Sequence, residues 1–163
     1  MAWQAKNINF NNLIKQMLHD KDSEKRAESA RQVGFLRDGR SVNLLCRALK
    51  TEKNTIVVNR IIEALGRIGD GRATLSILEK FEIEMKKSEN DSDKLRIVFI
   101  IESLTRIKDN RALEFISHYL DSTDDELLQL SQNAFDIILP DWRDIIKRNQ
   151  KERTLQDIFK VSK

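Results

Sequence analysis

The sequence predicts an all-α solenoid, a stack of about four helix pairs with a capping helix at each end. A three-residue motif recurs as Asp38-Gly39-Arg40, Asp70-Gly71-Arg72 and Asp109-Asn110-Arg111, with Asp141-Trp142-Arg143 as a looser fourth copy. Its aspartates are 32, 39 and 32 residues apart, and a period in this range is typical of solenoids. Apolar residues recur at helical spacing between the copies. The single proline, Pro140, leaves the predicted helices uninterrupted.

Each copy of the motif has the chemistry of a joint between two helices. In the second copy, Gly69 can adopt the left-handed conformation that ends a helix. Asp70 can then cap the next helix by accepting from its first free amides. Arg72 is either a solvated charge or, as we favour, the partner of an aspartate in a neighbouring repeat. Exposed ion pairs contribute at most about 1 kcal/mol each, so such a ladder would set register more than stability.

Length and composition indicate one helical domain. The chain has 163 residues, of which 40% are hydrophobic and 34% are charged, enough to bury a core. Cys46 is the only cysteine, which excludes a disulfide framework within the chain and fits a reducing compartment. It lies on an apolar stripe, where a buried structural thiol is the better interpretation.

No apolar run approaches the roughly 20 residues that cross a bilayer. Residues 1–10 lack the apolar core of a signal peptide. These two observations and the lone cysteine lead us to expect a cytoplasmic protein that does not associate with membranes.

The net charge of +3 conceals an uneven distribution along the chain. Residues 1–60 carry 12 Lys and Arg against 6 Asp and Glu, residues 61–140 carry 10 against 16, and residues 141–163 carry 7 against 4. Nucleic-acid-binding proteins usually present a continuous basic stripe. The acidic middle argues against that class without excluding it.

The first two repeats are predicted as outer and inner helices, the first and second members of each pair. A helix over residues 10–19 precedes one that Asp22 or Ser23 caps and that runs to about Arg37. Residues 42–49 form the next outer helix and residues 57–68 the next inner one, whose β-branched residues nevertheless follow helical spacing. Trp3 either covers the open end of the core or is an exposed binding residue.

The third repeat is longer by 7 residues, about two helical turns. The extra residues lie near 83–93 and form either an extended outer helix or a projecting polar loop. They are either a tolerated insertion or part of a binding face. The next helices are predicted over residues 97–107, 112–120 and 127–139, the last capped by Thr123 or Asp124. One or two closing helices follow, and they either cover the apolar end of the stack or serve dimerisation or docking. The side chains assigned to this covering role are Trp142, Leu155 and Phe159.

The pattern Ala-Leu-Gly-x-Ile-Gly-Asp-x-Arg at residues 64–72, echoed by residues 34–40, resembles the HEAT-like repeats named after phycobilisome lyases. The resemblance covers roughly residues 10–143. It implies a single domain over residues 1–163, with repeats at about 10–38, 39–70, 71–109 and 110–141 and a C-terminal cap at 142–163. Similar proteins form a right-handed superhelix whose inner helices line a concave face. Many are non-catalytic protein-binding scaffolds or adaptors.

Projecting the repeat period onto the inner helices gives three rows of residues outside the apolar stripe. The rows are Glu28, Arg60, Phe99 and Leu130; Arg31, Glu63, Glu102 and Asn133; and Phe35, Arg67, Arg106 and Ile137. The partner-binding residues predicted from them are Arg31, Phe35, Arg60, Glu63, Arg67, Phe99, Glu102 and Arg106.

The two phenylalanines are the informative members of these rows. Phe35 and Phe99 are typical of a binding surface if they are exposed, and they belong to the core if the helices are rotated. The arginines suit an acidic or C-terminal peptide, because a guanidinium pairs with a carboxylate through two hydrogen bonds. The glutamates either exclude wrong partners or pair with those arginines. We therefore expect another protein or peptide as the partner.

Some proteins with similar repeats are enzymes, but this chain lacks the residues that their chemistry would need. Deoxyhypusine hydroxylase holds iron through repeated His-Glu pairs, whereas this chain has only His19, followed by Asp20, and His118, followed by Tyr119. The lyase activity is implied by the family name alone, and no nucleophile–base pair stands out. We expect no catalysis, no metal and no cofactor.

Nucleic-acid binding is the alternative function. DNA alkylation-repeat glycosylases are similar proteins that cradle a duplex in a basic concave face. Arg31, Arg60, Arg67 and Arg106 have the charge to contact phosphates, but Glu63 and Glu102 share their face. The two tryptophans, Trp3 and Trp142, lie near the ends of the chain rather than along it.

Overall fold

The computed structural model describes the backbone of residues 2–88 and 90–160 and the side chains of residues 9–88 and 90–151. These residues form nine α-helices and three short 3₁₀ helices. The α-helices are α1 (Ala2–His19), α2 (Ser23–Leu36), α3 (Val42–Thr51), α4 (Thr55–Ile68), α5 (Thr74–Met85), α6 (Lys94–Ile107), α7 (Leu113–Ser117), α8 (Asp125–Ile138) and α9 (Trp142–Lys160). The 3₁₀ helices are Gly39–Ser41, Gly71–Ala73 and Asn110–Ala112.

The helices stack in two layers. The inner helices α2, α4, α6 and α8 pack on one another in chain order, and the outer helices α3, α5 and α7 do the same. Helix α1 packs on α2 at the N-terminal end of the stack. The all-α solenoid predicted from the repeat is therefore confirmed.

The C-terminal end of the stack is covered by Trp142, as the sequence predicts. Its side chain is buried, and its ring lies 5.2 Å from that of Phe135. The side chains of Leu155 and Phe159, which share this predicted role, lie outside the described residues. So does the side chain of Trp3, for which the sequence left open a role in covering the core or in binding.

The inner helices approach each other very closely. A Cβ atom on Gly66 would lie 2.6 Å from the Cα of Ser103, and one on Gly34 would lie 2.7 Å from the Cα of Ala64. The Ser103 hydroxyl donates a hydrogen bond to the carbonyl of Ile62, at 3.0 Å. Small residues at these positions let the backbones meet, and the large aliphatic side chains around them are fully buried.

The three joints share one geometry. Asp38, Asp70 and Asp109 accept from the backbone amides of Arg40, Arg72 and Arg111, at 3.0, 2.9 and 3.0 Å. The residue that ends the preceding helix is left-handed in each case: Arg37 (φ 50°), Gly69 (φ 74°) and Lys108 (φ 60°). The helix end predicted at Gly69 and the cap predicted at Asp70 are confirmed.

In the part of the chain that the structure describes, the arginine of a joint does not pair with an aspartate of a neighbouring repeat, contrary to our prediction from the sequence. Arg72 pairs with Asp70 of its own joint at 2.6 Å, and it donates to the carbonyl of Gly39 in the preceding joint at 2.9 Å. Arg111 repeats this, with Asp109 at 2.5 Å and the carbonyl of Gly71 at 3.3 Å. The expected ion pair with a neighbouring aspartate is therefore wrong. The tight 3₁₀ turn folds the guanidinium back onto its own capping carboxylate.

The motif at Asp141 does not reproduce this joint. Helix α9 begins directly at Trp142, and Arg143 pairs with Asp136 at the end of α8 instead of with Asp141. The indole of Trp142 donates to the same Asp136 carboxylate at 2.7 Å. At this end of the chain, the carboxylate that pairs with the arginine therefore comes from Asp136 on α8, which contacts both Trp142 and Arg143.

In the longer third repeat, the structure has both an extended outer helix and a polar connection, which the sequence analysis gave as alternatives. Helix α5 extends to Met85, and the described residues 86–88 and 90–93 then belong to a polar connection to α6. Glu84 holds this connection: its side chain is 1% exposed and accepts from Lys87 at 2.8 Å, Arg96 at 2.8 Å and the Asp93 amide at 3.1 Å. The outer helix α7 ends at Ser117 rather than near residue 120, and Asp124 caps α8.

Replacing Gly66 by alanine tests the close approach of α4 and α6. Alanine normally favours a helix by about 1 kcal/mol over glycine, but here its Cβ would collide with the Ser103 backbone. We expect Gly66→Ala to lower the free energy of unfolding by about 2 kcal/mol, measured by urea denaturation. Gly71→Ala is the control, because its Cβ would meet no described atom closer than 3.8 Å. A Gly66→Ala variant as stable as the parent would contradict the observed packing.

The Glu84 contacts predict a pH dependence. Burial alone would raise the pKa of Glu84, but hydrogen bonds from Lys87, the Asp93 amide and Arg96 outweigh it and hold that pKa below its ordinary value of 4.5. The carboxylate therefore stabilises the fold above about pH 4.5, and this stabilisation is lost as the pH falls through the lowered pKa. Glu84→Gln leaves Arg96 with only its longer ion pair to Asp93, at 3.7 Å, and should cost about 3 kcal/mol at neutral pH.

Urea denaturation at a series of pH values measures this loss. Below about pH 4.5, the parent should lose stability more steeply than Glu84→Gln. Glu82→Gln is the control, because Glu82 is exposed and pairs only with Lys86 among the described residues. Parallel pH profiles for parent and Glu84→Gln would refute the assigned role of Glu84.

Candidate functional site

The eight residues predicted to bind a partner lie on three consecutive inner helices. Arg31 and Phe35 are on α2, Arg60, Glu63 and Arg67 on α4, and Phe99, Glu102 and Arg106 on α6. On each helix they are three or four residues apart and so share one side of it. We call this side of α2, α4, α6 and α8 the inner-helix face, defined by the three rows of residues given above.

Phe35 is the exposed aromatic residue on this face, with 55% of its surface accessible. Its ring lies between two guanidinium groups, at 5.2 Å from Arg31 and 4.4 Å from Arg67. Both distances are in the range of cation–π contacts. The contacts hold an apolar ring in place at the surface instead of burying it.

The charged residues of α4 form a connected group. Glu63 accepts from Arg60 and from Arg67, each at 2.8 Å. Burial raises the pKa of Glu63, but the hydrogen bonds from Arg67 and Arg60 outweigh this and lower it. The carboxylate therefore stays charged near neutral pH. The sequence left open whether Glu63 excludes wrong partners or pairs with the arginines, and the structure contains the ion pairs with Arg60 and Arg67.

A similar pair lies on α2. Arg31 donates to Glu28 at 2.8 and 2.6 Å, and Gln32 donates to the same carboxylate at 2.8 Å. These hydrogen bonds lower the pKa of Glu28 to about 2. The side of Arg31 that is not engaged by Glu28 lies against Phe35.

Phe99 differs from Phe35, because it is only partly exposed and packs against the core. Of the two alternatives that the sequence left open, Phe99 is therefore nearer to a core residue than Phe35 is. Its neighbours one turn further along α6 are more accessible: Arg106 lies 4.0 Å from Glu102, and their side chains are 45% and 39% exposed.

Sequence reasoning missed two exposed apolar residues on the same face. Ile56 and Leu95 are 62% and 59% exposed, and each is the second residue of its helix, α4 or α6. They lie one turn before Arg60 and Phe99. Their separation of 39 residues matches the long repeat spacing, so extending the projected rows by one turn would have found them.

The face continues onto α8. Leu130 and Asn133, members of the first two rows, line a shallow depression of about 440 Å³ together with Glu126 and Gln129. Ile137, at the end of the third row, is 41% exposed. Apolar and polar residues thus alternate on the surface of the last inner helix.

The residues considered for catalysis are dispersed. His19 ends α1 and His118 follows α7, both exposed, and Cys46 on α3 is partly buried. Among the residues that the structure describes, no three His, Cys, Asp or Glu side chains are placed to hold a metal ion. None of the described helices combines the length and the apolar character needed to span a bilayer.

Comparison with known proteins supports the repeat architecture. Residues 10–82 match the family model of HEAT repeats, a segment that lies within α1 to α5. No curated protein matches the chain. The joint geometry seen inside the matched segment recurs beyond it at Asp109. The match and the repeated joints together support a HEAT-like repeat protein.

Proposed function

We propose that this chain is a non-catalytic scaffold or adaptor of the phycobilisome-lyase-like type of HEAT repeat. A partner protein or peptide binds its inner-helix face, which the proposal takes as the concave side of the stack. HEAT repeats commonly mediate protein interactions. The observation that carries the proposal is Phe35, an exposed ring held between Arg31 and Arg67.

A fixed, exposed ring favours association. Covering the accessible half of the Phe35 ring would contribute about 1 kcal/mol. The ring is already held by its two arginines, so little side-chain entropy would be lost on binding. Arg67 and Arg31 also border the ring with groups that pair well with carboxylates. An apolar centre with a charged rim is the usual anatomy of a protein interface.

A second candidate function is nucleic-acid binding, and one observation favours it. On α9, Lys147, Arg148 and Lys151 are exposed and line a shallow depression of about 650 Å³. Phosphate contacts release bound counterions and therefore weaken steeply as salt is raised. The inner-helix face instead has its positive charge interrupted by Glu63 and Glu102, which is why we prefer a protein partner.

Affinity capture from a lysate of the source cells, with the full chain as bait, tests the proposed function. We expect Phe35→Ala to weaken capture of the partner about fivefold, the change that corresponds to the loss of about 1 kcal/mol of apolar contact. The variant should stay folded, since the ring is more than half exposed. Leu75→Ala is the matched control: it removes an apolar side chain that is 57% exposed on the outer helix α5.

The same experiment separates the two functions. Capture through the inner-helix face should survive nuclease treatment and a rise in salt from about 0.1 to 0.5 M, where charge interactions are strongly screened. Capture that is lost on nuclease treatment, and that Lys147→Gln with Lys151→Gln weakens, would favour the nucleic-acid function. Equal capture by Phe35→Ala and by Leu75→Ala would overturn the assignment of the face.

A further inference from the structure

Resting on the proposed function, we propose that the inner-helix face recognises a peptide segment that is apolar at one end and acidic at the other. The segment lies along α4 and α6. Its apolar side chains contact Ile56 and Leu95, and its carboxylates reach Arg67 and Arg106.

The direction of the segment follows from the parallel packing of α4 and α6. Near the start of both helices, Arg96 donates to the side chain of Asn59 at 3.1 Å. Near their ends, Ser103 lies against Gly66 and donates to the Ile62 carbonyl. The two helices therefore begin at the same edge of the inner-helix face.

This edge is apolar. Ile56 and Leu95 have the same position in neighbouring helices and are the two most exposed large apolar residues among those described. The partly buried ring of Phe99 lies one turn further along α6. Covering two neighbouring aliphatic side chains of this exposure is favourable for any partner that offers apolar surface.

The opposite edge offers positive charge with unused hydrogen-bond donors. Among the described residues, Arg106 makes no side-chain hydrogen bond, and its nearest carboxylate, Glu102, is 4.0 Å away. The Nε donor of Arg67 is buried without a hydrogen-bond partner. Glu63 is shared between Arg60 and Arg67, so one positive charge in that group is not balanced. A carboxylate of the partner would pair with Arg106 or with the accessible part of the Arg67 guanidinium, whose side chain is 30% exposed, and not with the buried Nε of Arg67.

The middle of the face disfavours acidic residues of a partner. Glu102 is 39% exposed and lies between the apolar edge and the arginine edge on α6. A partner carboxylate in the centre would meet this negative charge. The arrangement thus accepts acidic residues at one end of the segment and disfavours them in its middle.

The spacing sets the length of the segment. Eleven residues separate Ile56 from Arg67 and Leu95 from Arg106, which corresponds to about 16 Å along a helix. An amphipathic helix of the partner would span this distance with about three turns. The chemistry is that of a peptide with two or more Leu, Ile or Phe residues followed, about 16 Å away, by Asp or Glu.

A selection from random peptides tests the proposal. A phage-displayed library of peptides about 16 residues long is selected on the full chain, and the enriched peptides are sequenced. Enriched peptides should carry aliphatic or aromatic residues at one end and Asp or Glu at the other. One of them is then synthesised, and its affinity is measured by isothermal titration calorimetry.

Variants of the chain assign each end of the peptide. We expect Arg106→Gln and Leu95→Ser each to weaken the peptide at least tenfold. Arg47→Gln and Leu75→Ser, exposed positions on the outer helices α3 and α5, should change its affinity less than twofold. Replacing the acidic end of the peptide by Gln should weaken binding to the parent more than binding to Arg106→Gln, because the variant has already lost one of the two arginines that the carboxylates contact.

The outcomes distinguish this inference from the proposed function. Peptides that Phe35→Ala weakens, but that show no acidic end or are unaffected by Arg106→Gln, overturn the inference and leave the proposed function standing. If Phe35→Ala, Arg106→Gln and Leu95→Ser all leave the affinity of every selected peptide unchanged, both are overturned. Sedimentation velocity of the free chain adds one more outcome. A dimer that Leu95→Ser converts to a monomer would show that a second copy occupies the face, which also overturns the inference.

Discussion

The capping aspartate at each joint is the interaction on which the stack depends. It ends one helix and starts the next within a few residues, because its carboxylate satisfies a free amide of the following turn. The arginine two residues later closes onto the same carboxylate. These hydrogen bonds lower the pKa of Asp70 and of Asp109. The caps at Asp70 and Asp109 therefore stay charged near neutral pH. Each cap fixes where the next helix begins relative to the one before it.

Close packing between inner helices turns this local geometry into a continuous surface. Where Gly66 meets Ser103, the backbones of α4 and α6 are held in one register. Residues at the same repeat position then lie side by side on neighbouring helices. The face that carries Phe35, Arg67 and Arg106 follows from this register, since no long loop contributes to it. The arrangement of these side chains is therefore set by the close packing of the helices beneath them.

The sequence predicted the fold far better than it predicted the face. Apolar periodicity and the Asp-x-Arg motif are local signals, and they placed the inner helices, the cap at Asp70, and the last cap at Thr123 or Asp124, of which the structure uses Asp124. Exposure depends on helix rotation, which neighbouring helices decide, so Phe35 and Phe99 looked alike but differ in the structure. The end of α7, the partner of Arg72 and the contacts of Arg143 depend on tertiary neighbours. Such contacts leave no periodic signal in a single sequence.

The hydrogen bond from Arg72 to the carbonyl of Gly39 has a consequence for how such a chain changes over time. A main-chain carbonyl is present whatever amino acid occupies the position, so this link between units does not specify the neighbour's side chain. This link would therefore survive the duplication, deletion or exchange of a unit, whereas contacts such as that of Gly66 with Ser103 need matching residues. The seven extra residues of the third unit fit this freedom, because the Arg111 link to Gly71 spans them unchanged.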